Sequence, residues 1–178
     1  MIRLRIIFAI AFVLLGSGLA LAAQPTPVPN TPPDFSPMNF EVGTWHCHQT
    51  VAGRPGDRTE TDTYTMAYDG WQLQSHFVSP PFDTYRTRDI VGDAWTTYDP
   101  TLKIWVNQVV DNFGAYGLTT SPGWVGNTMT WTGTNPDGTV VKLVETKVSD
   151  TKEIFKSWGN TKKGQPLVNL GTQTCSKS

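Results

Sequence analysis

The feature that most constrains the fold is a regular succession of short stretches rich in Val, Ile, Thr, Tyr, Phe and Trp, which begins near Phe40. Gly, Pro, Asn and Asp separate these stretches at near-regular intervals, a pattern typical of β-strands joined by tight turns. Beyond the N-terminal segment, no window of helix length places apolar residues at i, i+3, i+4 and i+7, which argues against helical bundles and parallel α/β folds. The sequence predicts ten strands, at residues 43–51, 59–68, 72–79, 87–98, 104–111, 115–121, 128–134, 140–147, 153–158 and 167–175.

Short connections predict that consecutive strands are antiparallel neighbours. Asp99-Pro100 begins one reversal, and Asn135-Pro136-Asp137-Gly138 has Pro and Gly where a tight turn requires them. Ten sequential antiparallel strands have exposed edges unless the sheet closes on itself or two sheets pack together. We therefore predict an all-β domain, an antiparallel up-and-down β-barrel of about ten strands, with a brief helical turn near residues 36–40.

The first 23 residues have the composition of a cleavable signal peptide. Arg3 and Arg5 precede an apolar run over residues 6–21, and Ala20-Leu21-Ala22 has the small-x-small pattern of a cleavage site. Neither cysteine of the chain follows this run closely enough to carry a bacterial lipid anchor. The sequence thus predicts a secreted or periplasmic protein with no stable membrane anchor after cleavage.

Two further segments follow the predicted signal peptide. Residues 24–38 are rich in Pro and predict an extended linker, and residues 39–178 form the predicted barrel domain. Cleavage would remove two of the 14 basic residues and none of the 15 acidic ones, which gives a formal charge of −3. Because the remaining Lys and Arg are scattered, we expect neither nucleic acid nor an acidic membrane surface as a partner.

The two cysteines lie in the first and last predicted strands. A secreted protein with just two cysteines usually pairs them, so we predict a Cys47–Cys175 disulfide that joins these strands. Free thiols or a metal-binding role are the alternatives.

Two groups of residues resemble known β-barrel families. Gly43-Thr44-Trp45 resembles the Gly-x-Trp signature of lipocalin and calycin barrels, which implies that Trp45 closes the base of the barrel. A second group, spread over residues 98–114, is similar to an uncharacterised bacterial family of secreted proteins with predicted lipocalin-like barrels; it consists of Tyr98-Asp99-Pro100, Trp105-Val106, Val110-Asp111 and Gly114.

This likeness covers residues 39–160 and has clear departures. The Thr-Asp-Tyr loop motif of lipocalins is not recognisable, and Lys177 is the only counterpart of the C-terminal Arg that packs on the barrel-closing Trp. A ten-stranded barrel is also similar to fatty-acid-binding proteins and to nitrobindin-like haem proteins. The resemblance therefore implies a cavity without naming its occupant.

The aromatic residues predict what lines this cavity. Seven Trp in one small domain favour an aromatic-lined cavity, although core packing is the alternative for each of them. Trp124 lies in a predicted loop, where an exposed Trp often contacts a ligand. The candidate ligand-binding residues are Tyr68, Trp71, Phe77, Trp105, Asp111, Trp124 and Trp131.

Asp111 is the one candidate with acid–base chemistry. It shares a strand face with Trp105, Asn107 and Val109, so it is a buried carboxyl with a raised pKa if that face is internal. It would then anchor a ligand or act as a general acid or base. The alternative is a capping role at the strand end, beside Asn112.

The three histidines give weaker signals. His46 and His48 share one face of the first strand, opposite Trp45 and Cys47, and would point to solvent if the latter pair points inward. A metal site would need a third ligand, and a nitrobindin-type haem would need a His in the C-terminal half. His76 fits a surface position, and we predict no cofactor, haem and metal being the less favoured alternatives.

The chain contains no Gly-x-Ser-x-Gly, His-Glu-x-x-His, phosphate-loop or Rossmann motif. The sequence therefore favours a barrel that binds a small, mainly apolar molecule over an enzyme. The alternatives are a small-molecule isomerase or hydrolase that uses Asp111, and a structural or interaction module whose barrel is filled by side chains.

Overall fold

The computed structural model of the protein describes residues 30–53, 56–81, 87–135, 137–160 and 162–178, apart from the side chain of Asp57. The predicted signal peptide and the linker up to residue 29 lie outside the described residues. Within the described part of the chain, no helix is long and apolar enough to cross a membrane.

Antiparallel strands make up most of the domain. Their bounds are β1 (Gly43–Val51), β2 (Asp57–Ala67), β3 (Gln72–Ser79), β4 (Ile90–Asp99), β5 (Ile104–Asp111), β6 (Tyr116–Ser121), β7 (Trp124–Val125), β8 (Thr128–Thr134), β9 (Val140–Ser149), β10 (Lys152–Gly159) and β11 (Val168–Lys177). Short helical turns occupy Ser36–Glu41, as predicted, and Tyr68–Gly70.

Ten of these strands form a closed barrel, which confirms the predicted all-β up-and-down fold. Each of β1–β5 pairs with the strand that follows it in the sequence, each of β8–β10 does the same, and β1 pairs with β11. The Thr120–Thr132 pair between β6 and β8 completes the ring. Strand β7 lies outside this ring as a two-residue partner of β8; it is too short to show the alternation that predicted the other strands.

The alternation of side chains across β1 decides what lies inside the barrel. Trp45 and Cys47 are buried, whereas His46 and His48 are exposed on the opposite face. Cys47 lies directly opposite Cys175 on β11, and the two form the predicted disulfide. The disulfide therefore joins the first and last strands of the barrel.

The helical turn Ser36–Glu41 closes one end of the barrel. Met38 and the adjacent Phe35 are buried against a cluster that includes Trp105, Met129 and Trp131. The rings of Phe35 and Trp105 meet edge to face with centroids 5.1 Å apart. Phe35 and Met38 fall within the predicted linker, so the packed domain begins before residue 39.

Trp45 lies beneath this helical turn and is fully buried. Its indole Nε1 donates to the carbonyl of Glu41 at 2.7 Å, and Lys177 Nζ lies 5.5 Å from its ring centroid. Lys177 also donates to the carbonyl of Phe40 at 2.7 Å. This cation over the ring lies where the resemblance implies an Arg, and the geometry is consistent with a calycin-like barrel.

Candidate functional site

The barrel contains a partly open cavity of about 380 Å³. Because inward positions alternate along each strand, nearly every strand contributes side chains to its wall. The apolar part of the wall includes Leu73, Phe77, Val109, Trp131, Leu143 and Phe155.

The absence of a side chain at Gly92 makes room for one of these side chains, that of Phe77. A Cβ on Gly92 of β4 would lie 2.2 Å from Phe77 Cζ and 2.4 Å from the carbonyl oxygen of Val110. Glycine is therefore required at this position for Phe77 to take its place in the wall.

A polar group lies where β2 begins, at the end of the barrel away from the helical turn. Arg58 Nη2 lies 2.6 Å from Glu60 Oε2 and 2.7 Å from Ser79 Oγ. Ser79 Oγ also donates to Glu60, and Gln173 Nε2 donates to Glu60 Oε1 at 2.8 Å. Arg58 is the one cationic side chain among the described residues of the cavity wall, and Glu60 balances its charge.

Four further carboxyl groups are buried in the barrel: Glu41, Asp62, Glu145 and Glu153. The first three line the cavity, whereas Glu153 does not. Trp131 Nε1 donates to Glu145 Oε2 at 3.0 Å. Three carboxyl oxygens, Asp62 Oδ1, Glu145 Oε1 and Glu153 Oε2, are buried without a hydrogen-bond partner among the described residues.

Burial keeps the two central carboxyls protonated to unusually high pH. It raises the pKa of Asp62 to about 8, with a further increase from the negative charge of Glu60 and an opposing effect of Arg58. Burial likewise raises the pKa of Glu145 to about 7, and the hydrogen bond from Trp131 opposes this rise.

The same cause acts on the neighbouring groups. Burial raises the pKa of Glu153 to about 9, with additions from Glu145 and Asp62, and Lys177 opposes this increase. Burial, followed by the charges of Glu145 and Glu153, raises the pKa of Glu41 well above its usual range. Burial also raises the pKa of Tyr64, and negative charge on all four carboxyls raises it further. Tyr64 thus lies among the four carboxyls.

The contact between Asp62 and the disulfide agrees with a protonated carboxyl. Asp62 Oδ2 lies 3.6 Å from Cys47 Sγ. A disulfide sulfur has no hydrogen, so a hydrogen bond between these atoms requires Asp62 as the donor.

The sequence-based candidates divide into two groups. Phe77 and Trp131 line the cavity. Trp105 and Trp124 pack at the closed end instead, Trp105 in the cluster beneath the helical turn and Trp124 with its ring centroid 5.7 Å from that of Phe40. Trp124 Nε1 is buried there without a partner among the described residues.

The other candidates lie away from the cavity wall. Tyr68 is 69% exposed in the Tyr68–Gly70 turn, and Trp71 is half-buried at the end of that turn. Asp111 shares the internal face of β5 with Asn107 and Val109, but its Oδ1 accepts from the backbone amides of Phe113 and Ala115 at 2.8 and 3.0 Å. Asp111 thus organises the β5–β6 turn.

The histidines also lie outside the cavity wall. His76 is exposed, and its Nδ1 lies 2.9 Å from Asp93 Oδ1. His46 Nδ1 lies 3.5 Å from Thr61 Oγ1 on the outer surface.

Sequence reasoning missed Glu41, Asp62 and Glu145. In β2 the inward positions are Arg58, Glu60, Asp62 and Tyr64, and Thr residues occupy the alternate, outward positions. Charged residues on one face and Thr on the other ordinarily indicate that the charged face meets water. The charged face of β2 was the signal for these residues, but the sequence does not show that this face is internal. Only the closure of the barrel decides that.

Comparison of the chain with protein-family models and with curated proteins finds no match.

Proposed function

We propose that this protein is a secreted or periplasmic binding protein that holds a small, mainly apolar molecule inside the barrel. The observation that carries the proposal is the internal cavity of about 380 Å³ with Phe77, Trp131 and Phe155 in its wall. Small-molecule sites in proteins range from roughly 300 to 1,000 Å³ and combine apolar walls with a few polar groups.

The alternatives receive less support. A structural module would have its barrel filled by side chains, and this barrel has room for a ligand. An isomerase or hydrolase centred on Asp111 is not supported, because the Asp111 carboxylate accepts hydrogen bonds from two backbone amides of a turn. The disulfide is compatible with an extracellular or periplasmic location, in line with the predicted signal peptide.

A fluorescence titration with N-phenyl-1-naphthylamine, an uncharged apolar probe, tests the proposal. We expect saturable enhancement of its emission by the wild-type protein. Ala94→Leu, which extends a cavity-lining side chain into the cavity, should weaken binding at least about tenfold. Val91→Leu is the matched control, since the alternation of side chains along the same strand puts Val91 on the outer face.

Native mass spectrometry of protein purified from an oxidising periplasm complements the titration. A non-covalent adduct that is lost on denaturation would identify the natural occupant. The proposal fails if the probe does not bind, or if Ala94→Leu and Val91→Leu bind it as the wild type does.

A further inference from the structure

We propose that the cavity binds a primary amine with an apolar body, and that the carboxyl groups of Glu41, Asp62 and Glu145 hold its ammonium group. This inference rests on the proposed function, because it names the chemical class of the molecule inside the barrel.

The carboxyl groups of the cavity wall have hydrogen-bonding capacity that the described residues do not use. Asp62 and Glu145 line the cavity with only 6% and 4% of their surface exposed. Asp62 Oδ1 and Glu145 Oε1 have no partner among the described residues, although a buried acceptor without a donor costs free energy. Both oxygens have almost no accessible surface, so each carboxyl group turns toward the cavity to accept from an ammonium group, which has three N–H donors and no acceptor.

The charged groups of the wall favour a cationic ligand over an anionic one. Arg58 pairs with Glu60 at 2.6 Å and only partly offsets the raised pKa of Asp62, so Glu41, Asp62 and Glu145 form no ion pair with the described lining residues. A carboxylate or phosphate ligand would therefore meet acidic groups without a free cation. An ammonium ion supplies the missing charge, and its hydrogen bonds to ionised carboxyls are stronger than those between neutral groups.

The remaining wall is aromatic and apolar, which suits a cation with an apolar body. Tyr64 and Trp131 lie beside the carboxyls and present aromatic surface to a cation. Phe77 lies directly opposite Asp62 in the β2–β3 pair, and with Val109 it gives the wall an apolar surface that can cover an apolar body. A bare metal ion would leave most of the 380 Å³ cavity unfilled.

Binding of a cation should displace protons. Burial raises the pKa of Asp62 to about 8 and that of Glu145 to about 7, so the empty site is largely protonated at mildly acidic pH. An amine keeps its charge up to a pH near its own pKa, about 10 for an alkylamine. Affinity should therefore increase from pH 5.5 to pH 8, with proton release into the buffer. The titratable and charged groups around the site are Glu41, Arg58, Glu60, Asp62, Tyr64, Glu145, Glu153 and Lys177.

Isothermal titration calorimetry with three ligands of similar shape tests the inference. The ligands are phenethylamine, 2-phenylethanol and 3-phenylpropionate, which are cationic, neutral and anionic at pH 7.5. We expect phenethylamine to bind at least about tenfold more tightly than the alcohol, and the carboxylate to bind most weakly.

Two variants and a matched control test which carboxyl groups cause the preference for the amine over the alcohol. Glu145→Gln, which keeps an acceptor for Trp131, and Asp62→Asn should each reduce the amine preference at least about tenfold. Glu153→Gln removes a buried carboxyl outside the cavity wall and should retain the preference. Thermal unfolding of each variant verifies that it is folded.

The outcomes separate this inference from the proposed function. If N-phenyl-1-naphthylamine binds but the amine binds no better than the alcohol, the barrel is a binding protein and the amine inference is wrong. Retention of the full preference in both Glu145→Gln and Asp62→Asn also overturns it. If neither the naphthylamine probe nor any of the three ligands binds, both proposals fail.

Discussion

Single residues in the barrel interior combine aromatic packing with carboxyl groups that ordinary cores exclude. Glu145 is one of these groups, and Trp131 Nε1 donates to its Oε2 at 3.0 Å. Its other oxygen has no partner among the described residues. A substitution that removes only the Trp131–Glu145 hydrogen bond should therefore change the free energy of unfolding measurably.

Trp131→Phe should lower the free energy of unfolding by about 1–3 kcal/mol, because it retains an aromatic ring but leaves Glu145 buried without a donor. Urea denaturation near pH 6 measures the change. Trp158→Phe is the control, since Trp158 lies on the outer face beneath Lys142. Equal, small effects of the two substitutions would contradict a stabilising Trp131–Glu145 hydrogen bond.

The buried carboxyls also predict how stability depends on pH. Burial raises the folded-state pKa of Glu145 to about 7, of Asp62 to about 8 and of Glu153 to about 9, whereas unfolded carboxyls titrate near 4. The folded state then binds more protons than the unfolded state, so stability is greatest near pH 4–5 and decreases as pH rises toward these values.

Each carboxyl contributes a slope of about 1.4 kcal/mol per pH unit while it is protonated only in the folded state. Urea denaturation of ligand-free protein between pH 5 and pH 9 measures the summed slope of the free energy of unfolding against pH. Glu145→Gln should reduce the slope below pH 7, whereas Asp150→Asn on the exposed surface should retain it. Stability that rises with pH over this range would show that the carboxyls are ionised in the folded barrel.

Among the structural elements, the helical turn Ser36–Glu41 has the largest role relative to its length. It has no side-chain cap and is only six residues long, so packing rather than intrinsic propensity stabilises it. Met38 is 1% exposed beneath the turn and contributes most of that packing together with Phe35 and Phe40.

Met38→Ala should destabilise the protein by about 2–5 kcal/mol, the usual cost of truncating a large buried side chain. Leu102→Ala in the exposed β4–β5 turn is the control and should change stability by less than about 0.5 kcal/mol. Thermal or urea unfolding compares the two. Similar values for both variants would mean that the helical turn does not close the barrel end.

For the whole molecule, the pairing of the first and last strands closes the ring. The Cys47–Cys175 disulfide fixes this pairing across 128 residues of chain. A cross-link over so long a loop removes much of the conformational entropy of the unfolded chain, which stabilises the folded state.

Replacing both cysteines by serine should lower the free energy of unfolding by up to about 5 kcal/mol, as the chain-entropy treatment gives for a loop of this length. Urea denaturation of the double variant, with circular dichroism to verify strand content, measures the loss. Reduction of the wild-type protein with dithiothreitol should have a similar effect. An unchanged midpoint after reduction would show that β1–β11 pairing needs no covalent support.

The pattern of the chain by itself determined ten of the eleven strands, the closed barrel and the disulfide. These features depend on local signals: alternation with period two, turn residues between strands, and one cysteine in each terminal strand. Strand bounds differ from the predicted ones by up to three residues, as at β4, which begins at Ile90 rather than at residue 87.

The tertiary structure alone decided which side chains share the cavity. Asp62 and Glu145 lie on strands that are distant in sequence, and only the curvature and register of the barrel bring them together around Tyr64. Asp111 and Tyr68 have residue types suited to a ligand site. However, Asp111 accepts hydrogen bonds from the backbone of a turn, and Tyr68 is largely exposed on the surface. Local patterns specify alternation but not which face is internal, because that choice depends on the burial of the whole sheet.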